Sequence, residues 1–174
     1  MGRIIGKNIM LREYKEEDIE KIQKWVTDRD VTRYLSSHFD FSQSLKKTEE
    51  FVENAMDSDF TGFVIADKKT GEYIGQIDFN IDRKNRVGTL GIVIGIKKKQ
   101  NQGIGTEAME LFINFGFNEL NLNRIELDVM SYNKKAIRVY EKLGFKKEGC
   151  KRKKFYRDGK YHDIYIYGLL KEEW

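Results

Sequence analysis

Between residues 87 and 130 the apolar period of the chain changes twice, and a fold must contain a crossover to satisfy both changes. Val87 to Ile96 reads as a strand, with Val87, Leu90 and the continuous run Ile92, Val93, Ile94. Ile104, Ala108, Leu111, Phe112 and Phe115 then recur at i, i+4, i+7, i+8 and i+11, one apolar stripe of a helix. Arg124 to Met130 alternates, with Ile125, Leu127 and Val129 on one face and Glu126 and Asp128 on the other. Strand, helix and strand of this length join parallel neighbours, with a right-handed connection expected.

Upstream, short links between strand signals predict an antiparallel meander. Asn8 to Arg12 alternates, and Thr61 to Ala66 and Tyr73 to Ile81 flank a turn at Asp67–Gly71. Two helices fall in the first 60 residues. One carries Ile19, Ile22, Trp25 and Val26 behind the acidic opening Glu16–Asp18. The other, Ser44 to Asp57, places Leu45, Val52, Ala55 and Met56 on one face. Downstream, Ala136, Val139, Tyr140 and Leu143 mark a helix stopped by Gly144, and strands near Phe145–Gly149 and Asp163–Leu170 flank a turn at Arg157–Lys160. The fold class is mixed α/β: an antiparallel meander followed by a parallel β-α-β crossover. With 174 residues one domain, 1–174, is expected, since two would each approach the lower limit for a self-sufficient core.

Composition narrows the function classes. Lys and Arg total 32 against 28 Asp and Glu, and a formal charge of +4 is no nucleic-acid signature by itself. The single cysteine, Cys150, excludes an intrachain disulfide, and His38 and His162 are too few for a structural zinc site to be assembled readily, so no metal is expected. Met1 to Met10 lacks an apolar run of signal-peptide length, and no later stretch reaches the roughly 18 apolar residues of a membrane span. A cytoplasmic protein without a membrane partner is the expectation.

The chemistry concentrates in Gln100-Asn101-Gln102-Gly103-Ile104-Gly105-Thr106-Glu107, preceded by Lys97, Lys98 and Lys99. Glycines at a helix start let backbone amides approach an anionic phosphate, and the lysines would add positive potential. The alternative is a plain strand-to-helix turn beside a solvated basic run. A P-loop is excluded, because Gly105 is followed by Thr106-Glu107 and not by lysine. Gly103-x-Gly105-x-x-Ala108 also fits a dinucleotide fingerprint, with Glu126 about 20 residues on. Against that reading, too few βα units follow for a dinucleotide-binding domain.

Gln100-x-x-Gly103-x-Gly105 resembles the Q/R-x-x-G-x-G/A signature of the GNAT superfamily of N-acetyltransferases, and Asn133-x-x-Ala136-x-x-x-Tyr140-x-x-x-Gly144-Phe145 resembles that family's second segment. Gly149 and Asp158–Asp163 extend the likeness toward the subgroup acting on ribosomal-protein N-termini, spermidine and related amines. The resemblance implies splayed parallel strands, acetyl-CoA as co-substrate, and direct transfer to a primary amine of a protein N-terminus, a polyamine or another small molecule. It implies cofactor contacts from Ile92, Val93 and Ile94, from Gln100, Asn101, Gln102, Gly103, Ile104, Gly105 and Thr106, and from Asn133, Ala136 and Tyr140. Homodimers are common in the subgroup.

Tyr140 takes the general-acid role toward the CoA sulfur in this resemblance; the bland alternative is a core aromatic. Asn133 reads equally as a helix N-cap accepting from Lys135 or Ala136. For the base, Asp78, Glu126 and Asp128 are candidates, Asp78 first because its strand should line the acceptor side. Departures from the family are Thr89, where many relatives have Glu, and Ile96–Lys99, which lacks the usual proline. Ser36, Ser37 and Ile81 stand where polyamine enzymes carry acids, which weakens a polyamine acceptor. Lys146 to Arg157, with Phe155 and Tyr156 interleaved, reads as a solvated strand face, the alternative being a non-catalytic ribosome- or RNA-binding module.

Overall fold

The computed structural model describes residues 2–57 and 60–174. In chain order its elements are β1 (Ile4–Ile5), β2 (Ile9–Arg12), α1 (Asp18–Val26), α2 (Arg29–Thr32), α3 (Leu45–Ala55), β3 (Gly62–Asp67), β4 (Tyr73–Asp82), β5 (Val87–Ile94), α4 (Ile104–Asn118), β6 (Arg124–Met130), α5 (Lys134–Lys142), β7 (Lys146–Arg157) and β8 (Lys160–Leu170). The strands are hydrogen-bonded in the order β1-β2-β3-β4-β5-β6-β8-β7, and β5 and β6 are parallel, as the double change of period requires. Residue contacts divide the chain into two compact units. The first comprises Met1–Phe79 and Gly91–Phe112, the second Asn80–Leu90 and Ile113–Trp174.

In the first unit β2, β3 and β4 form the expected meander, registered by Arg12↔Val64 and Gly62↔Asp78. Alternation sends Phe63 and Phe79 to Phe112 of α4, the latter pair stacked at 4.1 Å between centroids. Met10, Val64 and Ala66 join Ile22, Trp25 and Val26 of α1 and Val52 and Ala55 of α3 in a separate cluster. The turn into α1 is fixed by the buried Arg12–Asp18 pair, bidentate at 2.7 and 2.8 Å, while Lys15 N also donates to Asp18. Removing one member of such a pair strands a buried charge, at a cost of about 3–5 kcal/mol. One expected helix face is corrected: Leu45 and Met56 are 51% and 44% exposed because they overhang the ends of α3. Thr48 is buried instead, its hydroxyl donating to Gln23 at 2.5 Å.

In the second unit β6 buries Ile125, Leu127 and Val129 as its alternation predicts, and pairs with β8 from Arg124↔Leu170 to Met130↔Ile164. The parallel ladder with β5 covers only Val87–Thr89 against Arg124–Glu126. On α5 the buried residues are Ile137, Tyr140 and the following Leu143, so Ile137 takes the place expected of Val139. Gly144, at φ 91°, ends the helix as predicted, with Phe145 N donating to Tyr140 O at 3.0 Å. The last two strands are longer than expected. Asp158 and Gly159 both adopt positive φ, which closes a tight two-residue hairpin, and pairing extends back through the lysine run that masked the strand pattern.

Candidate active site

Between the end of β5 and the start of α4 the chain is turned by two left-handed residues, Asn101 (φ 60°) and Gly103 (φ 79°). The carbonyl of Gly103 accepts the helical bond from Glu107 N at 3.0 Å. Amides of the preceding first turn have no intrahelical acceptor and carry the positive end of the helix dipole. Beyond its chain neighbours and the nearby backbone of its own helix, a Cβ built on Gly105 would come no closer than 3.9 Å to another atom, which leaves space beside the helix start for a ligand oxygen to approach.

The loop's side chains are engaged elsewhere. Gln100 Nε2 donates to Ile94 O at 2.9 Å and Gln102 Nε2 to Lys98 O at 2.6 Å, bonds that brace the loop. Glu107 accepts from Asn8 N and Asn8 Nδ2 at 2.8 and 3.0 Å, tying α4 to the start of β2. The expected lysine potential is reduced. Lys97 lies 2.8 Å from both Asp28 and Asp30, whose hydrogen bonds raise its pKa, and Lys99 lies 3.5 Å from Asp67. Among the described residues Lys98 makes no ion pair.

Asp78 is the distinctive carboxylate. It pairs in register with Gly62, over which the Phe60 ring folds, and Phe60 packs edge-on against Tyr14 and Phe51. Toward β5 it leans over Gly91: a Cβ built there would stand 3.2 and 3.4 Å from its two carboxylate oxygens. Among the described residues it has no cation or hydrogen-bond donor, and burial pushes its pKa up to about 6. The Tyr14 hydroxyl is buried without a partner, and burial, followed by nearby tyrosine and carboxylate charge, holds its pKa well above the usual phenol range. The competing carboxylates are paired, Glu126 with Arg124 Nε at 3.0 Å and Asp128 with Lys151 Nζ at 2.7 Å. Gly91 was absent from the sequence reading; an isolated glycine within a strand is the signal that marks such a close approach.

In the second unit Asn133 caps α5, its Oδ1 accepting from Ala136 N at 3.3 Å, as the capping reading predicts. Two turns on, Tyr140 is 9% exposed, with ring centroids of Phe145 and Tyr167 at 6.1 and 6.4 Å. Burial pushes its pKa up to about 12, so the phenol stays protonated throughout the physiological range. Its hydroxyl has no hydrogen-bond partner among the described residues, whereas that of Tyr167 donates to Glu141 at 2.9 Å. Thr89 and Glu126, opposed across the parallel ladder, line a depression of about 470 Å³ with Asn80, Ile81, Asp82, Asn85 and Val87.

Residues 8–146 match the family model described as an acetyltransferase (GNAT) domain. The chain is 31% identical over 177 residues to the uncharacterized N-acetyltransferase p20 of Bacillus licheniformis, covering 100% of this chain and 99% of that one. It is 27% identical to the spermidine N(1)-acetyltransferase of Escherichia coli (strain K12), over 90% of this chain and 82% of the relative. The crystal structure of a GNAT-family acetyltransferase from Bacillus anthracis superposes with a TM-score of 0.86 at 26% identity, over 99% of this chain and 100% of that one. Two motifs, one fold and full-length similarity agree: the chain belongs to the GNAT family and is an acetyltransferase.

Proposed function

We propose that the protein transfers an acetyl group from acetyl-CoA to the α-amino group of a peptide or protein. The observation carrying the cofactor half is the first turn of α4, entered through Asn101 and Gly103 and left clear at Gly105, where backbone amides remain available to phosphate oxygens. Ile104 and Thr106 would complete that cradle. Ile92, Val93 and Ile94 would offer their backbone to the pantetheine amides as an added strand does. Asn133 and Ala136 at the start of α5 would contact the cofactor, while Gln100 and Gln102 shape the loop. Acetyl-CoA supplies the activated acetyl group as a thioester. The two units would act as one domain, residues 1–174.

Asp78 carries the acceptor half. A carboxylate with a pKa of about 6 and no fixed cation can take a proton from an incoming ammonium, directly or through one water. An α-ammonium with pKa about 7.7–8.0 lies about 2 units above that base, an alkylammonium near 10.4 more than 4. The difference, about 3 kcal/mol of proton-transfer free energy, favours the α-amine over a polyamine or lysine side chain. Tyr140 holds its proton to about pH 12 and would donate it toward the departing sulfur, which needs that proton only as the thiolate develops in a desolvated setting.

Thermal melts with acetyl-CoA and with NAD test the first half. Acetyl-CoA at 100 times its Kd should stabilise the protein by about 2.7 kcal/mol; stabilisation by NAD alone would transfer the glycine loop to dinucleotide chemistry. Thiol release is then measured across amino-terminal peptides, N-acetylated lysine-containing peptides and spermidine. The peptides with free α-amines should turn over fastest, and a preference for spermidine would overturn the acceptor assignment.

A further inference from the structure

Apart from Tyr167, which packs against Tyr140, the β7–β8 hairpin takes no step in the chemistry proposed above, and the charge of its outer part is unlike that of the rest of the chain. Residues 146–160 contain eight Lys and Arg against Glu148 and Asp158, a surplus that exceeds the +4 of the whole chain and leaves the remainder net acidic. Two of the eight are neutralised, Lys146 by Glu173 and Lys151 by Asp128. Lys147 lies over the Tyr165 ring and Arg157 over the Phe155 ring. Arg152, Lys153, Lys154 and Lys160 are exposed and make no ion pair among the described residues.

These cations are held by built structure. The β7–β8 register shifts between Lys151 and Phe155, and the resulting bulge carries Arg152, Lys153 and Lys154. Lys153 adopts a φ of 51°, and its amide donates to Asp163 Oδ1 at 2.8 Å, which fixes the bulge. Beyond it Tyr156 and Tyr161 are cross-strand partners, 59% and 65% exposed, with centroids 4.9 Å apart. β7 is the sheet edge, where lysines commonly block edge-to-edge pairing. That explains the charge but not two exposed rings, which add apolar surface at the edge it protects. Unpaired cations beside an exposed aromatic pair fit phosphates and bases together; an acidic protein would use only the charge.

We propose that the β7–β8 hairpin binds a single-stranded polynucleotide, with phosphates on the Arg152–Lys154 bulge and Lys160 and a base against Tyr156 and Tyr161. This binding does not rest on the acetyl-transfer reading. Fluorescence anisotropy with a labelled mixed-sequence oligoribonucleotide of about a dozen nucleotides tests it, beside the DNA oligomer of the same sequence and with heparin and polyglutamate as competitors. Four phosphate contacts predict a slope of log affinity against log salt near −3. Replacing Tyr156 and Tyr161 together by alanine should weaken binding at least tenfold with the slope retained, whereas Arg152→Ala/Lys153→Ala/Lys154→Ala should bring the slope toward −1. Melting temperature controls for folding in both variants. Comparable RNA and DNA affinities support a shape-tolerant strand site, and an RNA preference adds contacts to the 2′-hydroxyl. Absence of binding at low salt overturns the proposal. So does binding indifferent to the tyrosines with polyglutamate held as tightly, which would assign the hairpin to an acidic protein.

Discussion

The glycine loop before α4 and the segment opening α5 both resemble family motifs, yet in the proposed reaction they would divide the work between backbone and side chain in opposite ways. In the loop the prominent side chains are occupied: Gln100 by Ile94, Gln102 by Lys98, Lys97 by two aspartates, Glu107 by Asn8. What remains for a ligand is peptide backbone. On α5 the backbone is closed by helical bonds and by the terminus at Gly144, and what remains is the Tyr140 hydroxyl. The first motif should therefore respond to added bulk and tolerate changes of side-chain polarity. The second should fail when a single oxygen is removed.

The largest effect is expected at that oxygen. Tyr140→Phe keeps the ring against Phe145 and Tyr167 and should lower kcat by about 10²–10⁴-fold while leaving acetyl-CoA affinity and melting temperature near wild type. Steady-state kinetics with a calorimetric Kd check this. An unchanged kcat would return Tyr140 to the core and erase the contrast between the two motifs.

Asp78→Asn should follow, with activity and stability moving in opposite directions. Turnover should fall by about 10²-fold, and the descent of kcat/KM below pH 6 that belongs to Asp78 should vanish, leaving only that of the acceptor amine. Folding raises the Asp78 pKa from 3.8 to about 6, so the folded state binds the proton more tightly than the unfolded state. The contribution that Asp78 makes is fully present below about pH 4 and is lost as pH rises through 6, by about 3 kcal/mol in all. The asparagine variant escapes that loss, so its melting temperature should exceed wild type at pH 7.5 and converge with it near pH 4.

The sequence carried the two motifs and the order of elements because each rests on period or spacing. Ile125, Leu127 and Val129 bury as they alternate, and Gly144 stops its helix by the conformation only glycine adopts easily. Hidden features depend on partners distant in sequence. Nothing in Lys97-Lys98-Lys99 announces Asp28, Asp30 and Asp67, and nothing near Asp78 announces that Gly91 would leave room for its carboxylate. The length of β7 was obscured because an edge strand with solvated lysines has no alternation to read.

A third and smaller effect separates bulk from polarity in the loop. Gly105→Val places a branched side chain where the nearest atom to a Cβ, beyond the backbone of its own helix, is 3.9 Å away, so the fold should accept it, and valine is no worse a helix former than glycine. The cradle should not: acetyl-CoA Kd should rise by about tenfold or more, equivalent to about 1.4 kcal/mol, with little change in kcat at saturation. A Kd within twofold of wild type would place the phosphates elsewhere.

The smallest effect lies at Asn133, where the two kinds of site meet in one residue. Its Oδ1 caps the Ala136 amide, so Asn133→Ala should destabilise the protein by about 1 kcal/mol whether or not the cofactor touches it. Asn133→Asp retains the capping oxygen and adds a carboxylate at a helix N-terminus, which favours the fold but would repel an anionic carrier. If Asn133 contacts acetyl-CoA, the aspartate variant should melt at or above the wild-type temperature while binding the cofactor more weakly. If the residue only caps, the melting temperature should again lie at or above wild type while cofactor affinity stays at the wild-type value, and the segment opening α5 would act through Tyr140 alone.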